Sequence, residues 1–252
     1  MSETHGNVAA LPANSRAAFR ELGELLVRLE GERLLELAAF GGWLVDDPLY
    51  DGTPARSVAV LQEVDLRLLD QFARAGVRLG NLGLSAPLTM TPQYIAASRD
   101  TFPLELLEIQ QQHVVLLGQD HFATLRCEPA HVRLQCEREL KSALLHLRQG
   151  LLAAAGNYKQ LGASCRQEAE RATRVLRGVL HLAGCAPAGR SSEIVAQAAG
   201  HTGLALDGLA TLVGAPRHVD FPAFERFYQE LTALAEYMDR LDQPGPRLER
   251  SQ

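Results

Sequence analysis

Along the chain the apolar positions change their period near residue 130, and the sequence divides there into two parts. Beyond that point Leu140, Leu144, Leu147, Leu151 and Ala155 recur at helical spacing, and Leu161, Cys165, Ala169, Ala172, Leu176, Val179 and Ala183 form a second stripe. Residues spaced by three and four share one helix face, so the pattern predicts two long amphipathic helices paired antiparallel across Gly156-Asn157. Glu137 stands four residues before Lys141, in the favourable orientation for a helix ion pair. Ser191 or Ser192 opens a shorter helix to about Ala199, and residues 204–213 can form another. Asp220 caps a last helix carrying Phe224, Phe227, Leu231, Leu234, Met238 and Leu241. Residues 130–242 therefore read as an all-α bundle of four or five helices, with no strand integral to the fold after residue 135.

Before the change, shorter apolar runs alternate with turn residues. Asn14 or Ser15 caps a helix that carries Phe19, Leu22, Leu25, Leu26 and Leu29 on one stripe. The run Leu34-Leu35-Glu36-Leu37-Ala38-Ala39-Phe40 is rich in helix formers, but it enters Gly41-Gly42 and a second apolar run, residues 56–61, follows. That arrangement predicts strand, turn, strand. Asp65 caps a helix through Leu68, Leu69, Phe72 and Val77 with Gly76 near its end, residues 82–90 read as a weak strand, and Thr91-Pro92 starts a short helix. Residues 102–109 read as a strand with Glu105, Leu107 and Ile109 on one face and Glu108 on the other. Residues 113–120 read as a helix end or strand closing on a Gly-Gln-Asp turn. The fold class is a small mixed α/β (α+β) domain over 14–125 and a helical domain over 130–242. Residues 1–13 and 243–252 are expected to be flexible.

Composition narrows the function classes. The chain has 252 residues, 46% of them hydrophobic and 22% charged, enough for a sizeable core. A net charge of −5 argues against a whole-protein footprint for nucleic acid. The N-terminus lacks a basic segment followed by an apolar run, and no stretch approaches a membrane span, so a cytoplasmic location and no membrane partner are expected. Cys127, Cys136, Cys165 and Cys185 match no close-paired zinc spacing and read as free thiols. The eight histidines include no HExxH pairing.

Candidate chemistry centres on the Gly-Gly turn. Missing Cβ atoms at Gly41 and Gly42 permit a sharp turn and close approach of a phosphate, or a tight turn with no ligand. Asp46, Asp47 and Asp51 follow in a connection holding Pro48, Gly52 and Pro54. They are metal-ligand candidates whose expected state is that of solvated loop acids. In the second long helix Arg174 precedes His181 by two turns, so an arginine could hold phosphate while a histidine moves a proton. The neighbouring Glu168 and Glu170 suggest instead a solvated, salt-bridged face.

Phe40-Gly41-Gly42 resembles the Phe-Gly-Ser turn of the nucleotidyltransferase fold, in the bacterial type that pairs a small catalytic domain with a kanamycin-nucleotidyltransferase-like or HEPN-like bundle. The resemblance covers roughly residues 33–120. It implies a nucleotide at Gly41, Gly42 and Ser57, and Mg²⁺ with a nucleoside triphosphate if the protein is active. It also implies an Asp-x-Asp pair on the next strand and a third carboxylate on a later one. Ser57/Ala59 and Val58/Val60 both lack that pair, and Glu105 falls at the place of the third acid. Losing two negative ligands removes ~5 kcal/mol of transition-state stabilisation, or ~10⁴ in rate. Arg174-x6-His181 is similar to the loose Arg-x4–6-His spacing of HEPN ribonucleases. The leading expectation is a degenerate nucleotidyltransferase-fold protein that binds a nucleotide or other ligand, or regulates. The alternatives are an active transferase with a rebuilt carboxylate site and a HEPN-like ribonuclease or interaction module. The partners expected are a nucleotide, and a second copy or a partner protein docking through the helical domain.

Overall fold

The computed structural model describes residues 7–214, 216 and 219–241. The chain forms two compact units, Met1–His131 and Val132–Gln252.

In the first unit α1 (Arg16–Glu30) buries Phe19, Leu22, Leu25 and Leu26 and ends at Gly31, whose φ of 55° an L side chain resists. Ser15 precedes it, but its hydroxyl donates to the Pro12 carbonyl at 2.9 Å and caps nothing. The next elements are β1 (Leu34–Phe40), β2 (Arg56–Leu61), α2 (Leu66–Ala73), α3 (Gly76–Asn81), β3 (Leu88–Met90), α4 (Pro92–Ala97), α5 (Pro103–Gln111) and β4 (His113–Gly118). The four strands make one mixed sheet in the order β3-β2-β1-β4. β1 is antiparallel to β2 and to β4, while β3 runs parallel to β2.

Strand alternation gives the sheet two faces. Leu37 and Ala39 of β1, Ala59 and Leu61 of β2 and Leu116 of β4 join one core with α1, Phe72 and Leu79. Glu36, Ala38, Phe40, Val58 and Val60 occupy the opposite face and are all buried. Tertiary context thus overrides the helix formers of β1, because pairing on both edges satisfies every strand neighbour at once.

Two expectations fail here. Only Leu88–Met90 of the weak strand forms a strand; the turn after α3 takes residues 82 and 83, and Leu84 makes a single parallel bridge to Ala55. The larger correction is that residues 103–109 belong to helix α5, with Phe102 at its N-cap. Pro103 occupies its first turn, where a missing N–H costs nothing, and leucine and glutamate favour helix over strand. Leu104, Leu106, Leu107 and Ile109 are all buried, so the segment has no exposed stripe from which a helical period could be read.

The second unit contains α6 (Pro129–Ala154), α7 (Tyr158–Leu182), α8 (Ser191–Thr202), α9 (Asp207–Val213) and α10 (Phe221–Arg240). No strand lies beyond Gly118 among the described residues. The first two helices run antiparallel. Arg171 pairs with Glu139 at 3.6 Å, and Glu168 with His146 at 3.3 Å, so residues rising along α6 meet residues falling along α7. Asn157 caps α7 by accepting from the Lys159 and Gln160 amides, and Asp220 caps α10 by accepting from the Ala223 amide at 2.9 Å. Glu230 of α10 accepts from the Gly208 and Leu209 amides at 2.7 and 2.8 Å, tying α10 to the first turn of α9. Burial raises its carboxyl above the ordinary value even though those amides favour the charged form. Among the described residues no helix is long and apolar enough to cross a membrane.

Candidate functional site

The Gly-Gly turn is built for packing. Gly41 has φ of 101°, and its N–H donates to the Gln112 carbonyl at 2.9 Å, so that donor is already committed. At Gly42 an added Cβ would fall 2.0 Å from Tyr50 Cε2, which means that the tyrosine ring lies where a side chain would stand. Trp43 then donates its indole N–H to the Phe40 carbonyl at 2.8 Å and stacks on Phe19 with ring centroids 5.3 Å apart.

The candidate acids differ in setting, although Asp46, Asp47 and Asp51 line one cleft. Asp46 and Asp51 are exposed. Asp47 is buried, contrary to the solvated setting expected of it, and accepts from the Leu49 amide at 3.1 Å to start the short 3-10 turn Pro48–Tyr50. Glu105 stands half-buried in the first turn of helix α5 rather than on a strand, so the place assigned to it beside the turn falls away with the strand. Ser57 pairs with Ala39 across the sheet and is 1% exposed, with no hydrogen-bond partner for its hydroxyl among the described residues; alternation directs it toward the α1 core. Val58 and Val60 fill the other face, and β3 supplies Leu88, Thr89 and Met90, none of them an acid.

Beside Gly41 a different pair has formed. Arg56 Nη1 lies 2.9 Å from Glu108 Oε1, and the guanidinium sits 4.4 Å from the centroid of the Phe40 ring. Glu108 is buried, so its charge is held in place by that arginine. Sequence reading passed over Glu108 because a strand would have turned it away from Glu105, whereas the helix carries it to the sheet.

Arg174 and His181 both lie on α7 and are half-buried, and burial lowers the His181 pKa below the ordinary imidazole value. Arg177, three residues after Arg174 on the same helix, is buried and donates to the Ala188 and Gly189 carbonyls at 3.3 and 3.0 Å, a tie between α7 and the chain after it. All four cysteines are free thiols; Cys127, Cys136 and Cys165 are buried, and Cys185 is exposed. Burial pushes Cys136 up to about 12 and Cys165 to about 11, which makes them poor nucleophiles and ligands.

A second polar cluster was not legible as a motif. Glu36 of β1, His113 of β4 and Asp120 of the turn after β4 bring one ligand atom each within 4.8 Å of one another. His113 Nε2 is 3.0 Å from Asp120 Oδ2, and Asp120 Oδ1 accepts from the Phe122 and Ala123 amides at 2.8 Å. Burial pushes the Asp120 carboxyl up, but those amides and His113 outweigh it and hold it below the ordinary value. Glu36 is 0% exposed; its Oε2 accepts from the His121 amide at 2.8 Å and lies 3.0 Å from His121 Nδ1. Burial raises the Glu36 carboxyl above its ordinary value, against the lowering effect of His121. The only available signal was the seven-residue step from His113 to Asp120, and Glu36 joins them through strand pairing alone.

Neither protein-family models nor curated proteins match this chain.

Proposed function

We propose that the protein is a nucleotidyltransferase-fold protein without nucleotidyl-transfer chemistry, acting as a ligand-binding or regulatory protein. The supporting features are the resemblance around Phe40-Gly41-Gly42, the small mixed sheet and the helical unit that follows it. One observation carries the loss of chemistry: β2 presents buried Val58 and Val60 on one face and buried Ser57 and Ala59 on the other. A triphosphate-metal clamp needs clustered hard oxygen ligands on rigid strands, and no register of this strand offers them.

The cleft beside the turn suits a different ligand. It has a volume of about 480 Å³ and is lined by Trp43, Asp46, Asp47 and Asp51, with no lysine, arginine or histidine among its described lining residues. Its lining joins the Trp43 and Tyr50 rings to the polar groups of Asn14, Ser15 and Thr53, a mixture that suits a neutral small molecule better than a polyanion. Trp43 is the chain's single tryptophan, so its fluorescence reports directly on this cleft. Titration with each nucleoside triphosphate and Mg²⁺ is expected to leave that signal unchanged to about 1 mM, the limit of weak binding. A saturable change at micromolar concentration would overturn the proposal.

A further inference from the structure

We propose that Glu36, His113 and Asp120 bind a divalent first-row transition cation of the zinc class. The first support is an oxygen left unused. Glu36 Oε2 is held by the His121 amide and lies beside the His121 ring, but Oε1 is buried with no hydrogen-bond partner among the described residues. A carboxylate oxygen withdrawn from water without a partner is costly, and a cation beside it removes that cost. The wholly buried side chain is directed into the cluster, since its ligand atom lies within 4.8 Å of those of His113 and Asp120.

The second support is ligand spacing. Metal bonds of about 2.0–2.2 Å to nitrogen and oxygen place neighbouring ligand atoms about 2.8–3.6 Å apart, from octahedral to tetrahedral geometry. His113 Nε2 and Asp120 Oδ2 already stand 3.0 Å apart. Completing the set requires only that the Glu36 carboxylate and these two atoms draw together from within 4.8 Å.

The third is the way each ligand is held. Glu36 and His113 come from strands paired antiparallel, a rigid base for two of the three ligands. The Phe122 and Ala123 amides fix Asp120 Oδ1, leaving Oδ2 on the cluster side, and His121 does the same for Glu36 Oε2. Such outer partners orient metal ligands and set their basicity. His113 also packs its ring edge against Phe122 at a centroid distance of 6.3 Å. The His113 side chain is 12% exposed and that of Asp120 32%, so an ion reaches the cluster from the Asp120 side and keeps water there as a further ligand. One imidazole and two carboxylates form a borderline-to-hard set with charge −2, matched to Zn²⁺, Mn²⁺ or Fe²⁺ rather than to a thiolate-seeking ion.

The test is calorimetric titration of Zn²⁺ into metal-free full-length protein, in a Cys185→Ser background so that the exposed thiol does not compete. One equivalent is expected to bind, and Glu36→Gln and His113→Asn are each expected to weaken binding by roughly 100-fold, at or above the loss typical of a removed supporting partner. Co²⁺ in place of Zn²⁺ should give a visible ligand-field spectrum without a thiolate charge-transfer band. Urea unfolding of each metal-free variant separates lost ligation from lost fold. If either variant fails to fold, Asp120→Asn, which keeps the Oδ1 acceptor, takes its place with the same expected loss. The proposal is overturned if Zn²⁺, Co²⁺ and Mn²⁺ all bind more weakly than about 1 mM, or if binding survives unchanged in the folded variants.

Discussion

Replacing Gly118 with alanine is expected to lower the free energy of unfolding by about 3 kcal/mol or more. Gly118 closes β4 with φ of 79°, a left-handed conformation that costs an L residue about 1–2 kcal/mol. The larger part is steric, because the new Cβ would fall 1.9 Å from the Leu35 carbonyl oxygen and 2.7 Å from its carbon. Those are backbone atoms of the central strand, so relief requires β1 and β4 to separate where Gly118 opposes Glu36. Urea denaturation of the two proteins measures the loss. A change under about 1 kcal/mol would mean that this strand pairing is not as described.

Gly42→Ala carries the second large effect, about 2 kcal/mol or more from overpacking. Gly42 is not among the glycines with positive φ, so its backbone suits alanine and the cost comes from the Tyr50 ring, 2.0 Å from the added carbon. The double variant Gly42→Ala/Tyr50→Ala tests that origin. Once Tyr50 is removed, Gly42→Ala should cost little, giving a favourable coupling of about 1–2 kcal/mol in a double-mutant cycle. Were the glycine present for close approach of a phosphate, removing Tyr50 would restore nothing. Additive losses in the cycle would contradict the steric origin assigned to the Tyr50 ring.

The legible and illegible parts of this sequence differ in how local their causes are. The stripes of α6, α7 and α10 have a period of 3.6 and a polar face, and helix caps such as Asp65 and Asp220 act within three residues. Strand β1 was legible only through the Gly-Gly turn that ends it, since its own residues favour helix. Helix α5 was misread because it is apolar on nearly every side, which erases periodicity and leaves Pro103 as the sole signal. That error moved the search for a carboxylate to Glu105 and away from Glu108. The Glu36, His113 and Asp120 cluster depends on the β1–β4 register and on a turn, so its spacing along the chain carries almost no information. Likewise Asp47 looked solvated beside two acids that are exposed, and only the packed turn reveals its capping role.

Nucleotidyl transfer itself tests the central claim most directly. The full-length protein is incubated with Mg²⁺ or Mn²⁺ and each labelled nucleoside triphosphate, and pyrophosphate release is followed together with label transfer to the protein, RNA, small amines and alcohols. With Val58 and Val60 in place of paired acids, the expected result is no release above the protein-free rate and no labelled product. Metal-dependent pyrophosphate release with stoichiometric labelled product, abolished by Glu105→Ala or by substitution of Asp46, Asp47 or Asp51, would contradict the account and establish a rebuilt catalytic site.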